Sequence, residues 1–597
     1  LTLNLWAVAG IALVGLATFS LGFRSSRLAS TTQDFLVARR TVRSRRNAAA
    51  VSGEYLSAAS FLGVAGLVLK DGADALWYPI GFTAGYLALM LFVAAPLRRS
   101  GAYTLPDFCE ARLGSRGLRG LSTGFVVLIG MLYLVPQLQG AGMTLHQVLP
   151  SAPTWVGAAV VAVVVIVNVF GGGMRAITVV QAFQYWLKLF AIAAPTFVMC
   201  ALFIGDGGVR GLDATGLSEP LPPRFTSAAV VRVETDVVVR VDESVRPWAS
   251  GRIDNAPANG HSYWSAGTTH TVEQGTELRF AAGESVPVVE GAPTDNQSWL
   301  RPVSGSGDLL TTYSLILALF LGTMGLPHVL VRFYTNPDGR AARRTTLHVL
   351  LLLSLFYVFP MLIGALSRVY TPELLVTGTT DAAALALPMK IAPGLLGQIL
   401  GAVTAAGAFA AFLSTSGGLV VSVAGVLYTD WLKRWFRDFR LASGIAGGVP
   451  LALALVLKQG DISMSIGMTF ALGASTFCPV LVLGIWWRKI TWIGAAAGMV
   501  IGGGLVLAAL GVTIFSRFTG DWAPEYLQQP ALVTVPVAFL AVVIMSKATQ
   551  SRIPADTNRI RMRMHAPDRL GFIRDRDIAR FGSAADRTRL ANGRHRR

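Results

Sequence analysis

Thirteen apolar runs, most about 20 residues long, decide what this 597-residue chain can fold into. They lie near residues 4–23, 50–69, 76–97, 120–144, 153–170, 176–204, 308–333, 345–367, 396–429, 441–457, 462–487, 491–514 and 530–546, and are numbered here as spans 1 to 13. A helix of that length crosses the hydrocarbon of a bilayer, where every backbone polar group must find its partner inside the protein. Charged residues are 14% of the chain and hydrophobic ones 53%, whereas soluble chains carry about 25% charge. Too few ionisable groups remain to build a water-facing surface, so a soluble multidomain enzyme and a disordered chain are both excluded. Cys109, Cys200 and Cys478 sit in or beside apolar runs and make neither a disulfide framework nor a zinc set. Span 1 has no basic segment before it and an arginine cluster after it, so it reads as a retained helix.

An odd number of spans puts the two ends on opposite sides. The connections after spans 1, 3, 5, 7, 9 and 11 carry most of the loop charge, including Arg39, Arg40, Arg43, Arg45, Arg46, Arg98, Arg99, Arg343, Arg344, Lys433, Arg434, Arg488 and Lys489. The opposite short connections hold Lys70, Arg368, Lys390, Lys458 and Arg517. Positive loops stay inside, which predicts a plasma-membrane (cell inner membrane) protein with its N-terminus outside and its C-terminus in the cytoplasm. Residues 547–597 carry 14 Lys/Arg against five Asp/Glu and read as a solvated tail lying on anionic lipid. The net charge of +18 is therefore explained by the membrane, and aromatic interleaving of the kind that binds nucleic acid is missing. Residues 205–307 form a net acidic insertion on the outer side. Alternating stretches at Val230–Val233, Val237–Val241, Thr269–Val272 and Val286–Val289, divided by Gly, Pro, Asn and Asp, predict a small β-rich cap.

Chemistry inside a bilayer gathers where helices are interrupted. Span 2 opens on Ser52-Gly53-Glu54-Tyr55-Leu56-Ser57-Ala58-Ala59-Ser60, span 7 contains Gly322-Thr323-Met324-Gly325-Leu326-Pro327-His328, and span 9 carries Ala411-Phe412-Leu413-Ser414-Thr415-Ser416-Gly417-Gly418. Small residues of this kind also permit close helix packing. A desolvated sodium ion needs several hard oxygens, and carbonyls of Gly53 and Leu56 with hydroxyls of Ser414 and Thr415 would supply them. For an anion, amides around Ser57 to Ser60 and Thr323 to Gly325 would serve as half-helix dipoles, with Gln137 on span 4 as a further candidate. Glu54 is a carboxylate near a span centre, open to either coupling-ion chemistry or an ion pair. Lys188 reads as structural or snorkelling.

Together, Asp34-Phe35-Leu36-Val37-Ala38, Ser57-Ala58-Ala59-Ser60-Phe61-Leu62-Gly63, Tyr103-Thr104-Leu105-Pro106-Asp107-Phe108, Gly172-Gly173-Met174-Arg175-Ala176-Ile177-Thr178 with Gln181, and the Gly322 to Phe333 segment resemble the sodium:solute symporter family, in its cation/acetate branch. The resemblance implies an all-α integral membrane protein of about 13 transmembrane helices with a five-plus-five inverted-repeat, LeuT-like core and an extracytoplasmic β-rich insertion. Its parts would be residues 1–49, the first helix and basic loop; 50–204, the first repeat in spans 2 to 6; 205–307, the insertion; 308–487, the second repeat in spans 7 to 11; 488–546, spans 12 and 13; and 547–597, the tail. It also implies sodium held by Gly53, Leu56, Ala411, Ser414 and Thr415. The function expected is secondary symport of a short monocarboxylate such as acetate with sodium or another cation. A neutral amino acid or longer carboxylate is the alternative substrate, and a transporter-like receptor a more distant reading. No enzyme activity and no organic cofactor are expected, and protein partners are not indicated.

Overall fold

A computed structural model describes residues 4–26, 36–205, 219–302, 308–392, 394–434, 439–457, 462–519 and 522–572. The glycine-rich junctions flanking the insertion and the tail beyond residue 572 lie outside the described residues.

Each apolar run is helical chain in the structure. Among the described residues, eleven helical stretches are long and apolar enough to cross a membrane; one of them, Ala59–Phe92, contains parts of two spans, and Thr154–Phe170 is a shorter apolar helix. Spans 5 and 6 run on without a loop through Thr154–Gly205, and the chain turns between them at Gly173, whose φ of +52° favours glycine. Span 9, Gly394–Val426, is the axis of the bundle, its most apolar window wholly buried.

Among the described residues the helices of spans 2 and 7 are each broken near the middle, the two that the sequence reading makes the first of each five-span repeat. In span 7 the helix Asp308–Gly325 stops, Leu326 is extended at φ −77°, ψ 118°, and a new helix Pro327–Val331 begins. A residue before proline is pushed out of the helical region, and proline suits the first helical position, so this break is written locally. In span 2 the helix Ser44–Tyr55 stops at Leu56, φ −71°, ψ 85°, and resumes through a π-helical turn at Ala59–Gly63 into Val64–Asp71. No proline forces that one.

The insertion is a seven-stranded antiparallel sheet of β1 (Ala229–Arg232), β2 (Val237–Arg240), β3 (Trp248–Ile253), β4 (Ala256–His261), β5 (Thr269–Val272), β6 (Glu277–Phe280) and β7 (Val288–Val289). The strands run in the order β1-β6-β3-β5-β2-β7, with β4 on β3. β3, β4 and β6 were not expected; Gly251 in β3 and Pro257 in β4 interrupt the alternation that marks a strand. The sheet is internally duplicated. Val233-Glu234, Val239-Arg240-Val241 and Glu243-Ser244-Val245 recur as Val272-Glu273, Leu278-Arg279-Phe280 and Glu284-Ser285-Val286. If β1, β2 and β3 are matched to β5, β6 and β7, then β1–β6 becomes β5–β2, and β3–β6 becomes β7–β2; all four pairings are present.

Its core continues into the bundle through Leu69 at the end of span 2 and Leu375, Val376 and Ala383 between spans 8 and 9. Trp299 donates its indole N–H to the carbonyls of Val68 and Leu69 at 2.9 and 3.1 Å, and Arg368 at the end of span 8 reaches Asn296 at 3.2 Å. Replacing residues 219–302 with a Gly/Ser linker would uncover those apolar side chains, each large one worth about 1.5–3 kcal/mol when fully buried. A lower unfolding temperature in detergent is expected; an unchanged one would show that the sheet does not brace the bundle.

The start of the tail is docked rather than solvated. A helix, Thr557–His565, buries Met564 and packs Ile560, one turn apart on one face, and Asp568 pairs with Arg99 at 2.8 Å. Two apolar residues four apart inside an arginine-rich stretch suffice for that.

Candidate functional site

The break in span 2 leaves the last carbonyls of Ser44–Tyr55 without helical partners, at the end of a helix where positive charge is favoured. Span 9 lies alongside. Ser414 directs its hydroxyl to the Gly53 carbonyl at 2.7 Å and the Ala411 carbonyl at 3.1 Å, and Thr415 donates to the Glu54 carbonyl at 2.6 Å. Gly53, Leu56, Ala411, Ser414 and Thr415 are thus brought into one cluster.

The Lys188 amino group sits at its centre. Lys188 of span 6 is completely buried, and its Nζ donates to the carbonyls of Gly53 and Leu56, the latter at 2.8 Å, and to the Ser414 hydroxyl at 2.8 Å. Lys188 is 15 residues from Gly173 and 17 from Gly205, the ends of the span, or roughly 22 Å of helix to the nearer end at 1.5 Å per residue. That is too far for a lysine side chain to snorkel out. Three of the five oxygens expected to hold sodium are bonded to Lys188, and the Ala411 carbonyl and Thr415 hydroxyl are bonded within the cluster. As folded, these oxygens are taken up by the Lys188 amino group and by one another.

Glu54 points the other way and pairs with Arg332, which follows the break of span 7, at 2.5 Å, both side chains almost wholly buried. Arg332 also donates to Thr178 at 3.0 Å and to the Gln181 side chain, whose amide group donates to the Ser414 carbonyl at 2.7 Å. The space for this pair is made by glycines: a Cβ on Gly418 would lie 2.0 Å from Glu54 Oε1, and one on Gly53 would lie 2.3 Å from the Gln181 carbonyl. Spans 2, 6, 7 and 9 therefore meet in one polar network containing one carboxylate, one guanidinium and one ammonium.

Beyond the breaks lies an aromatic cage. Tyr55 donates to or accepts from Thr323 at 2.8 Å, joining the two broken helices, and its ring packs edge-on to Tyr86 at 4.7 Å and Phe82 at 5.8 Å. Phe470 of span 11 lies 5.1 Å from Phe82 and 6.2 Å from Tyr133, and Tyr133 lies 5.2 Å from His328. The residues expected to bind an anion border this cage. Ser57 lies beside Tyr133, Ser60 is hydrogen-bonded to Tyr357 at 2.9 Å, and Gln137 accepts from the Ala58 amide at 3.2 Å. Gly325 is backed by span 11: a Cβ there would lie 2.1 Å from the Gly473 carbonyl. Four buried polar atoms around the cage have no protein partner: Gln137 Nε2, Tyr86 Oη and both ring nitrogens of His328.

Broken first helices in both repeats, a polar cluster at one break and a cage between them are the parts of an alternating-access transporter. The model of the sodium:solute symporter family matches residues 35–212 and 289–502. The chain belongs to that family. The stretch between the two matches contains β1 to β6, so the sheet is an addition to the family's core. This symporter is 27% identical over 552 residues, 88% of each chain, to a monocarboxylic acid transporter of Corynebacterium glutamicum, and 26% identical over 548 residues, 89% of this chain and 91% of the relative, to a symporter of Bacillus subtilis. The substrate-bound, outward-open structure of a Na⁺-coupled sialic acid symporter superposes with a TM-score of 0.58 at 14% identity, covering 91% of this chain and 97% of that one. That likeness shows the fold, a LeuT-like helical core. The protein is a multi-pass membrane symporter, and not an enzyme.

Lys188, Arg332 and the cage residues Tyr86, Tyr133, His328 and Phe470 were not selected from the sequence as site residues. A signal for the first existed: Gln181, Gln184, Tyr185 and Lys188, spaced three and four apart, make a polar stripe along an apolar helix.

Proposed function

We propose that this symporter takes up a short-chain monocarboxylate such as acetate together with a cation, with the sheet and N-terminus outside and the basic tail in the cytoplasm. The observation that carries the reading is the set of buried, unpartnered polar atoms on Gln137, Tyr86 and His328 inside an aromatic cage at the helix breaks. A buried polar group without a partner is costly, and a small carboxylate offers acceptors to the Gln137 amide and Tyr86 hydroxyl while its methyl end meets aromatic faces. No guanidinium is spare at this place, because Arg332 is held by Glu54, Thr178 and Gln181. Ser60 and Thr323 shape the cage by fixing Tyr357 and Tyr55 rather than by lying bare within it, and Ser57 lies beside Tyr133. The name of the Corynebacterium relative and the family support a carboxylate and a cation. The charge asymmetry of the loops supports the orientation.

Counterflow of radiolabelled acetate in proteoliposomes, with no ion gradient imposed, tests the substrate alone. Competition by propionate and pyruvate and little by neutral amino acids is expected. A hydrogen bond to a charged group is worth about 1.5–3 kcal/mol, so Gln137→Leu and Tyr86→Phe should each raise the half-saturating acetate concentration roughly 10- to 100-fold. Counterflow of amino acids in place of carboxylates would overturn the substrate assignment.

A further inference from the structure

The cation expected from the family is sodium, yet its ligands already hold a positive charge that belongs to the chain. We propose that the Lys188 ammonium is the resident cation of this site, that no free sodium binds there, and that the symport runs on protons. The inference rests on the reading of the chain as a cation-coupled carboxylate symporter.

Three observations meet at Nζ. Its partners are the Gly53 and Leu56 carbonyls at the C-terminal end of a half-helix and the Ser414 hydroxyl on the facing span, which are hard oxygens converging from two elements. A sodium ion on the same oxygens would stand about 4 Å from the ammonium, where two positive charges shielded from water repel strongly. The two remaining expected ligands have partners of their own, the Ala411 carbonyl accepting from Ser414 and the Thr415 hydroxyl donating to the Glu54 carbonyl. The side chain is also anchored from the middle of its span, so it cannot leave the cluster for the interface.

The charges around Nζ are few. The charge that bears on it is Glu54 of span 2, whose carboxylate is turned away and engaged by Arg332 of span 7; span 9 presents the hydroxyls of Ser414 and Thr415, and on span 6 itself Gln181 is turned to the Ser414 carbonyl, Gln184 to Thr18 and Tyr185 to the Leu352 carbonyl. With the metal position filled, the positive charge that accompanies an anion is left to protons. The break at Leu56 acquires a cause by the same argument. Where span 7 is opened by a proline, span 2 is opened around an ammonium that satisfies its freed carbonyls.

The test is acetate uptake into proteoliposomes with sodium replaced on both sides by N-methylglucamine and an inward proton gradient imposed. Uptake by the natural protein should change by less than about twofold on removing sodium and should collapse when the pH gradient is dissipated. A fall of about tenfold or more on sodium removal would overturn the proposal. Lys188→Ala vacates the oxygens, so sodium should now stimulate its counterflow by about fivefold or more, while Lys188→Met, which fills the same volume without charge, should show no such gain. If neither variant inserts, binding of radioactive sodium to the natural protein decides: none above background is expected, and saturable binding abolished in Ser414→Ala/Thr415→Ala would refute it. Gradient-free acetate counterflow separates the two readings. Its absence under every condition counts against the carboxylate substrate, whereas its presence together with strict sodium dependence counts against Lys188 as the resident cation.

Discussion

Arg332→Met is expected to cost the protein about 3–5 kcal/mol, because it strands Glu54 as a buried carboxylate with no countercharge. Arg332 and Glu54 are 2.5 Å apart and shielded from water, and the pair ties the break of span 2 to that of span 7. Glu54→Gln leaves the guanidinium stranded instead and should be comparably damaging. The double variant Glu54→Leu/Arg332→Met removes both charges, and apolar replacement of a buried pair is often neutral or better, so much of the stability should return. Thermal unfolding followed by tryptophan fluorescence in detergent reads all three. Single variants as stable as the natural protein would show that the pair is not desolvated as described. Transport by a stable double variant would further show that Glu54 carries no coupling ion.

Gly325→Val should abolish transport in a protein that still reaches the membrane. A Cβ at Gly325 would stand 2.1 Å from the Gly473 carbonyl oxygen and 2.6 Å from its carbon, backbone atoms that cannot rotate away. Spans 7 and 11 would have to part, and overpacking of this kind costs about 1–3 kcal/mol or more. The displaced chain carries Thr323 and His328, so the cage would be distorted on the side that Tyr55 and Tyr133 complete. Gly325→Ala should be damaged in the same direction and less severely. Gly511→Ala in span 12, where an added Cβ meets nothing within 4 Å, is the matched control and should transport normally. Wild-type uptake by Gly325→Val would mean that the two spans are not in backbone contact.

What was legible in the sequence follows from how local each cause is. The spans could be counted because bilayer thickness sets their length, and the break at Leu326 could be placed because Pro327 acts on its neighbour. The break at Leu56 was flagged only by a run of small and polar residues; what opens it is a lysine 132 positions away. Gly53, Leu56, Ser414 and Thr415 were grouped by counting oxygens and Ala411 joined them through the family resemblance, yet counting acceptors does not tell which cation they hold. That depended on the reach of Lys188, a distance along a helix axis. The cage was illegible for another reason. Tyr86, Tyr133, His328 and Phe470 come from four spans, and each alone is an ordinary aromatic or imidazole in an apolar helix. In the sheet, the valine-rich strands announced themselves, while β3 and β4, with glycine and proline inside them, are strands because their neighbours pair with them.

The sheet has one more consequence, and it is mechanical. It is fastened to the end of span 2 through Leu69 and the Trp299 indole, to the end of span 8 through Arg368 and Asn296, and to the approach to span 9 through Leu375, Val376 and Ala383. A sheet pinned at three points ties the spacing between them to its own hydrogen-bonded frame. The ends of spans 2 and 8 can swing beneath it as a unit, but they cannot spread apart at that face unless a pin shears. Any gate that opens there has its hinge line drawn for it, running outside the plated group of helices and never through the middle of it.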